Sequence, residues 1–243
     1  MLEKFQILQI DPDFKTEALG VFTPTGTSRA MLTSATQLIG GSEGVLDLGC
    51  GSGILGLELK SRYPNITLSM SDISPESTSL AELNDSRCNP DTRSNIRTGS
   101  LFEPWKGEKF DFILSDVSGV IPEIGKYFGW FNDVPNESGI HGTDLAVQVI
   151  HAAKDFLAKL DSIFLMPIIS LANENLQLEA LKGEFPYVTK INTFQFPITS
   201  EGTDAHLFLE SFKDVKLTTL AGMVLFTTTV YAGSQIGLTG RNK

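Results

Sequence analysis

The sequence predicts an α/β fold: a doubly wound, mostly parallel seven-stranded sheet with a small N-terminal hairpin. Three observations carry that expectation. Apolar runs of strand length alternate with amphipathic runs of helix length, as they do where a parallel sheet is covered by helices. In VLDLGCGSG an acid and alternating glycines stand between the first strand and the helix after it. Near the end of the chain, VTKINTFQFPI and GMVLFTTTVYA are β-branched and aromatic, and suit an antiparallel hairpin at the sheet edge.

The elements follow in order. FQILQI and ALGVFT flank the turn-like DPDF and predict a hairpin extension over residues 1–27. SRAMLTSATQLI (28–39) reads as a helix, because Met31, Leu32, Ala35, Leu38 and Ile39 fall near one face. GVLDLG is a strand, and ILGLELKSRYP a helix that ends before Pro64. ITLSMSD is the second strand; SPESTSLAELNDSRC is a helix with a capping serine, Ser74, and Glu76 beside it. NIRTGS and FDFILSD are short strands, TDLAVQVIHAAKDFLAKL is a long helix from Thr143, and DSIFLMPII is the fifth strand. TSEGTDAHLFLESFKDVK (199–216) reads as an insertion between the last two strands. Without repeats or a low-complexity linker, the expectation is one domain over 1–243.

Composition narrows the function. Of the 243 residues 41% are hydrophobic and 20% charged, and no run of 18 uncharged apolar residues could span a bilayer, so no membrane partner is expected. MLEKFQILQIDPDF lacks the basic-then-apolar order of a signal peptide, which points to a cytoplasmic protein. Cys50 and Cys88 are too few and too poorly spaced for a metal site and are expected to be free thiols. His141, His151 and His206 have no ligand spacing, so no metal is expected. A net charge of −10, with 19 Lys and Arg scattered along the chain, leads to the expectation that nucleic acid is not a partner. Oligomeric state is not legible.

The most informative stretch is VLDLGCGSGILGLEL (45–59). Gly49, Gly51 and Gly53 let the backbone turn tightly and approach a ligand with no Cβ in the way. Asp47 precedes them, and Asp72 ends the next strand, where a carboxylate can hold both ribose hydroxyls of a nucleoside. An acid followed by GxGxG resembles the class I S-adenosylmethionine (SAM) dependent methyltransferases rather than the GxGxxG dinucleotide enzymes. The resemblance implies SAM as cofactor: Gly49 and Gly51 along its methionine part, with Cys50 and Gly53 also cofactor-binding, Asp72 on the ribose, Ile73 against one adenine face, and Ser100, Leu101 and Phe102 near the adenine edge. Asp47 is implied at the amino-acid end, directly or through water; an acid that caps the amides of the glycine loop is an equally open reading.

Three further segments resemble the HemK-like protein-glutamine methyltransferases. VFTPTGTS (21–28) stands where that group has VxIPRPET, SLFEP (100–104) matches DLFEP, and IHGTDLAVQVI (140–150) resembles the GGxDGL loop and the following helix. At the end of strand four the group has Ser-Asn-Pro-Pro-Tyr, which clamps a planar amide. Here the same place reads Ser115-Asp116-Val117-Ser118-Gly119, followed by Ile121-Pro122-Glu123. Without Pro-Pro the backbone is not held extended, and without Tyr there is no aromatic wall. Asp116 can still accept hydrogen bonds or a proton, which suits a protonated amine better than a neutral amide. That group has a helical substrate domain before the catalytic one, whereas few residues precede Thr23-Pro24 in this sequence, so docking to release factors is not expected.

The expected catalytic residues are Asp116, Ser118 and His141, with Ser115 and Asp116 also beside the cofactor. Asp116 is read as an acceptor or base, or else as a loop cap; His141 as a proton acceptor, or else as a solvated loop residue; Glu123 as the start of a helix. Thr23, Thr27, Tyr127 and Trp130 are the expected substrate-side residues, and the aromatic KYFGWFNDV is read as core packing or as a lid. The expected activity is SAM-dependent methyl transfer to a nucleophilic nitrogen or oxygen of a small molecule or exposed side chain. Two alternatives stay open: attack at the aminocarboxypropyl carbon of SAM, releasing methylthioadenosine, and an idle SAM-fold partner subunit.

Overall fold

The structure, a computed structural model, describes residues 21–41, 43–131, 134, 136–198 and 204–238. Most of the expected N-terminal hairpin lies outside these residues. Its last part does not extend to residue 27 as a strand, because α1 (Gly26–Ala35) has already begun. Thr25 caps that helix, its hydroxyl accepting from the Thr27 amide at 3.2 Å.

One sheet gathers every described strand. Its order is β3 (Asn95–Thr98), β2 (Thr67–Asp72), β1 (Gly44–Leu48), β4 (Phe112–Ser115), β5 (Ile163–Ile169), β8 (Met223–Ser234) and β6 (Tyr187–Pro197). The first five are parallel, and β8 runs antiparallel between β5 and β6. The two terminal runs thus pair as the sequence suggests. A short strand that the sequence reading missed, β7 (Thr218–Leu220), makes eight instead of seven. It pairs with β8 over Met223–Leu225, beyond Thr228 where β5 gives out, and so continues the line of β5.

Side chains on successive strand positions point to opposite faces, and both faces are buried. Val45, Phe112, Leu114, Ile163 and Leu165 pack in one core with residues of α1, α2 (Ile54–Arg62) and α3 (Pro75–Cys88). Their neighbours Leu46, Leu48, Ile113, Phe164 and Met166 pack in a second core with α5 (Asp144–Ala153) and α6 (Glu174–Glu184). This is the doubly wound arrangement. At a transfer value of ~25 cal/mol per Å² of apolar surface, a fully buried Leu or Phe contributes roughly 2 kcal/mol before entropy is counted. Local signals set the helix ends: Ser74 Oγ accepts from the Ser77 amide at 3.1 Å, with Pro75 opening α3.

The long helix expected from Thr143 is shorter. After Ala153 it tightens into a 3₁₀ turn (Lys154–Phe156), because the chain then turns to pair with Phe110. The Phe110 amide donates to Phe156 O, and the Ala158 amide to Phe110 O, both at 2.8 Å. Two strand-like bonds to the start of β4 outweigh the continued helical periodicity. The 199–216 segment contributes α7 (Asp204–Glu210), and α4 (Pro122–Tyr127) follows Ile121. Among the described residues no helix is long and apolar enough to cross a membrane, and no group of three His, Cys, Asp or Glu could hold a metal. Cys50 and Cys88 are not joined in a disulfide.

Candidate active site

Strand order reverses between β1 and β4, so a crevice opens beyond their carboxyl ends, the place where doubly wound sheets take ligands. The glycine loop leaves β1 there. Gly49, Gly51 and Gly53 have φ of 78°, 54° and 80°, a region that disfavours any residue with a Cβ. Ser71 O, near the end of β2, accepts from the Gly49 and Cys50 amides at 2.8 and 2.9 Å. Asp72 completes the clamp: Oδ2 accepts from the Gly51 amide and Oδ1 from the Ser74 amide, each at 2.9 Å. It therefore ties the exit of β1 to the exit of β2, and burial raises its carboxyl above the usual range against these opposing bonds. The Ser77 side chain and the Ile73 amide also bond this carboxylate.

Asp47 takes a capping role, on a helix amide. Gly53 has no side chain with which to cap α2, and Asp47 does it from the strand: Oδ2 accepts from the Gly56 amide, an unpaired first-turn donor, at 2.9 Å. A Cβ on Gly56 would lie 3.1 Å from that oxygen and 2.9 Å from Leu68 Cδ1, so the approach requires glycine. The capped amide belongs to the helix, not to the loop. Asp47 Oδ1 is buried without a partner, as is Ser115 Oγ at the last position of β4. A buried polar atom left unpaired costs about 1–3 kcal/mol, so both mark places for a ligand atom or water. Desolvation raises the Asp47 carboxyl to about 7, with Asp116 and Asp72 adding to it and the Gly56 bond opposing.

Asp116 stands one residue past Ser115, which pairs with Leu48 across β1 and β4. Burial raises its carboxyl to about 7 against the bond from Ser28, whose hydroxyl donates to Asp116 Oδ2 at 2.8 Å. Val117 reaches back over the glycine loop, its Cγ1 2.9 Å from where a Cβ on Gly49 would stand. Ser28 was missed by sequence reasoning. It sits in the first turn of a helix, and its pattern with Thr25 signals only a cap.

The other named residues divide. Ile73, just past Asp72, is 58% exposed, unusual for a large apolar side chain with a buried strand behind it. Leu101 has φ of 46°, a non-glycine residue in the left-handed region, in a turn where Glu103 N donates to Ser100 O. Phe102 is buried in the second core and stacks on Phe156 at 4.4 Å. Cys50 is buried, and burial holds its thiol well above its ordinary range.

Ser118 donates to Asn136 Oδ1 at 2.7 Å and is bonded by Ser138 Oγ at 2.8 Å, so its hydroxyl serves the loop that leaves β4. His141 pairs with Asp214 Oδ2 at 2.6 Å, and Asn173 Nδ2 donates to the other oxygen of Asp214 at 2.8 Å. The structure gives His141 no contact with Asp116. Thr27 is 5% exposed, its hydroxyl spent on Thr228 at 3.1 Å, and Thr23 is half-buried.

The aromatic segment meets the 204–217 stretch in a third cluster. Tyr127 stacks on Phe208 at 4.2 Å, Phe128 on Trp130 at 4.8 Å, and Trp130 tilts against Phe226 at 6.2 Å, around Val120, Ile121, Ile124, Ile169, Leu171 and Leu209. Phe131 touches Phe22 at 5.5 Å, and Phe22 O lies 3.8 Å from where a Cβ on Gly51 would be. These rings are partly buried, Tyr127 being 48% exposed, and they continue to the edge of the glycine loop.

Comparison with known proteins agrees with this geometry. Residues 16–116 match the methyltransferase small domain. The chain is 30% identical over 106 residues to the release factor glutamine methyltransferase of Aquifex aeolicus, covering 43% of this chain and 37% of that one. It is 33% identical over 86 residues to the ribosomal RNA small subunit methyltransferase C of Pasteurella multocida, covering 35% and 25%. The alignments thus span less than half the length of either relative. The solved 16S rRNA N2 G1207 methyltransferase of T. thermophilus, in complex with AdoMet and guanosine, shares the fold with a TM-score of 0.55 at 15% identity over 87% of this chain and 43% of that one.

These relatives correct one expectation. A net charge of −10 does not rule out nucleic acid as a partner, because matched relatives are named ribosomal RNA small subunit methyltransferase C. Net charge describes the far field, whereas recognition is set by local surface. Residues 16–116 thus resemble the methyltransferase small domain, and the chain shares its fold with solved methyltransferases.

Proposed function

We propose that the protein transfers a methyl group from SAM to a nitrogen nucleophile presented at the carboxyl end of β4. The observation that carries this reading is Asp116, a carboxylate at the exit of a central strand beside the glycine loop, with one oxygen held by Ser28. The fit of the cofactor rests on the unpartnered Asp47 Oδ1, the doubly anchored Asp72 and the exposed Ile73. In this reading Asp72 receives the ribose hydroxyls, Ile73 lies against the adenine, and Asp47 Oδ1 faces the ammonium of the methionine part. SAM supplies a methyl carbon already activated by its sulfonium, so the protein contributes alignment. Asp116 accepts a hydrogen bond from the attacking nitrogen, or its surplus proton when the acceptor arrives protonated.

Relatives named for glutamine and ribosomal RNA methylation support a nitrogen carried by a protein side chain or a nucleobase. The test is incubation of the purified protein with methyl-tritiated SAM and, separately, with protein, RNA and small-molecule fractions of a cell extract. Label carried into one fraction, with S-adenosylhomocysteine (SAH) as coproduct, identifies the acceptor class. Methylthioadenosine formed from SAM in proportion to enzyme would overturn methyl transfer.

A further inference from the structure

Asp116 has one anchor among the described residues, and that anchor comes from a different element, 88 positions away in the chain. Ser28 is 4% exposed on α1. A hydroxyl carries one proton and two lone pairs. Ser28 Oγ accepts from the Thr25 amide at 3.4 Å, closing the start of α1, and its proton goes to Asp116 Oδ2 at 2.8 Å. The direction of that bond matters: a donor favours a charged carboxylate over a protonated one. It also fixes which oxygen is committed, leaving Oδ1 without a hydrogen bond among the described residues.

We propose that Ser28 is the positioning residue of the site: its donated hydrogen bond favours the anionic form of Asp116 and leaves Oδ1 as the oxygen available to the ligand. This rests on the reading above that Asp116 faces the reactive end of SAM. It extends that reading in one way. An anionic Asp116 beside the sulfonium makes the site selective for charge, because SAH has the same skeleton and a neutral sulfur. The cradle then favours cofactor over spent product, and Ser28 contributes to that preference without touching either. Asp47 and Asp72 add negative charge nearby, and their contribution remains when Asp116 is altered.

The test is calorimetry of SAM and SAH with the full chain at one pH near 7.5. In the unaltered protein SAM should bind more tightly than SAH by on the order of tenfold or more, the effect of one opposite charge a few ångströms away. Asp116→Asn should remove most of that preference. Ser28→Ala should reduce it roughly threefold, the share of a single hydrogen bond, while SAH affinity stays within about twofold. Ser28→Thr, which restores the hydroxyl, should restore the preference. An unchanged preference in Ser28→Ala, with the loss seen in Asp116→Asn, would overturn the role of Ser28 and leave that of Asp116 standing. An unchanged preference in Asp116→Asn would overturn the placement of Asp116 itself. Should Ser28→Ala fail to fold, Ser28→Cys, a far weaker donor of similar size, carries the same comparison.

Discussion

The glycine-loop cradle and the aromatic cluster beyond β4 are built on opposite principles. The cradle is held by backbone amides on carboxylates: Gly51 and Ser74 on the half-buried Asp72, and Gly56 on the buried Asp47. It carries unpaired polar atoms at Asp47 and Ser115. The cluster is held by ring faces and aliphatic packing. A region that keeps polar atoms unpaired gives up stability that a ligand can return. A region that fills its volume with rings stabilises the fold whether or not a ligand is present. Ligand affinity and fold stability should therefore respond separately to changes in the two regions.

The largest effect is expected in the cradle. Asp72→Ala removes the carboxylate that joins two strand exits and that the proposed function sets on the ribose, and SAM affinity measured by calorimetry should fall about 100-fold, ~3 kcal/mol. Undiminished affinity would break the comparison at its first term. In the cluster, Trp130→Ala should lower unfolding free energy by roughly 2 kcal/mol in a urea titration while leaving SAM affinity within about twofold. A loss of affinity as large as the loss of stability would make the cluster part of the ligand site.

The third expectation concerns protons. The carboxyls of Asp47 and Asp116 are raised in the folded state to about 7. The stability that these two groups contribute is thus fully present below the ordinary carboxylate value near 4, and is lost as pH rises through about 7. Without cofactor, the protein should resist urea better at pH 5.5 than at pH 8 on their account. A cationic ligand favours the charged forms, so SAM binding near pH 7 should release on the order of one proton, read from the dependence of binding enthalpy on buffer ionisation. Proton uptake would contradict the placement of these carboxylates beside a cation. The smallest effect is expected outside the cradle: His141→Gln should cost about 1 kcal/mol of stability through the lost bond to Asp214, with little change in SAM affinity.

The cradle was legible in the sequence because its parts are close along the chain or repeat a fixed order. Asp47 and the glycines lie within seven residues, and Asp72 ends the very next strand. The roles of Asp47 as a helix cap and of Ser28 as the partner of Asp116 were not legible, since each depends on how separate elements meet. The same holds for the cluster, where residues near 128 meet residues near 208 and 226. Periodicity recorded that KYFGWF is apolar, and could not say against what it packs. β7 was lost because three residues carry too little pattern, and the end of α5 because its competitor, Phe110, lies more than 40 residues earlier. The exclusion of nucleic acid failed for a different reason: it drew a local conclusion from a whole-chain sum.

The most direct test is a crystal structure of the protein grown with SAH. The account predicts the ribose hydroxyls within hydrogen-bond distance of Asp72, the adenine over Ile73, the ammonium at Asp47 Oδ1, and the sulfur on the side of the crevice where Asp116 stands. A nucleoside bound elsewhere, or one seated in the cradle with Asp116 turned away from its sulfur, would contradict it.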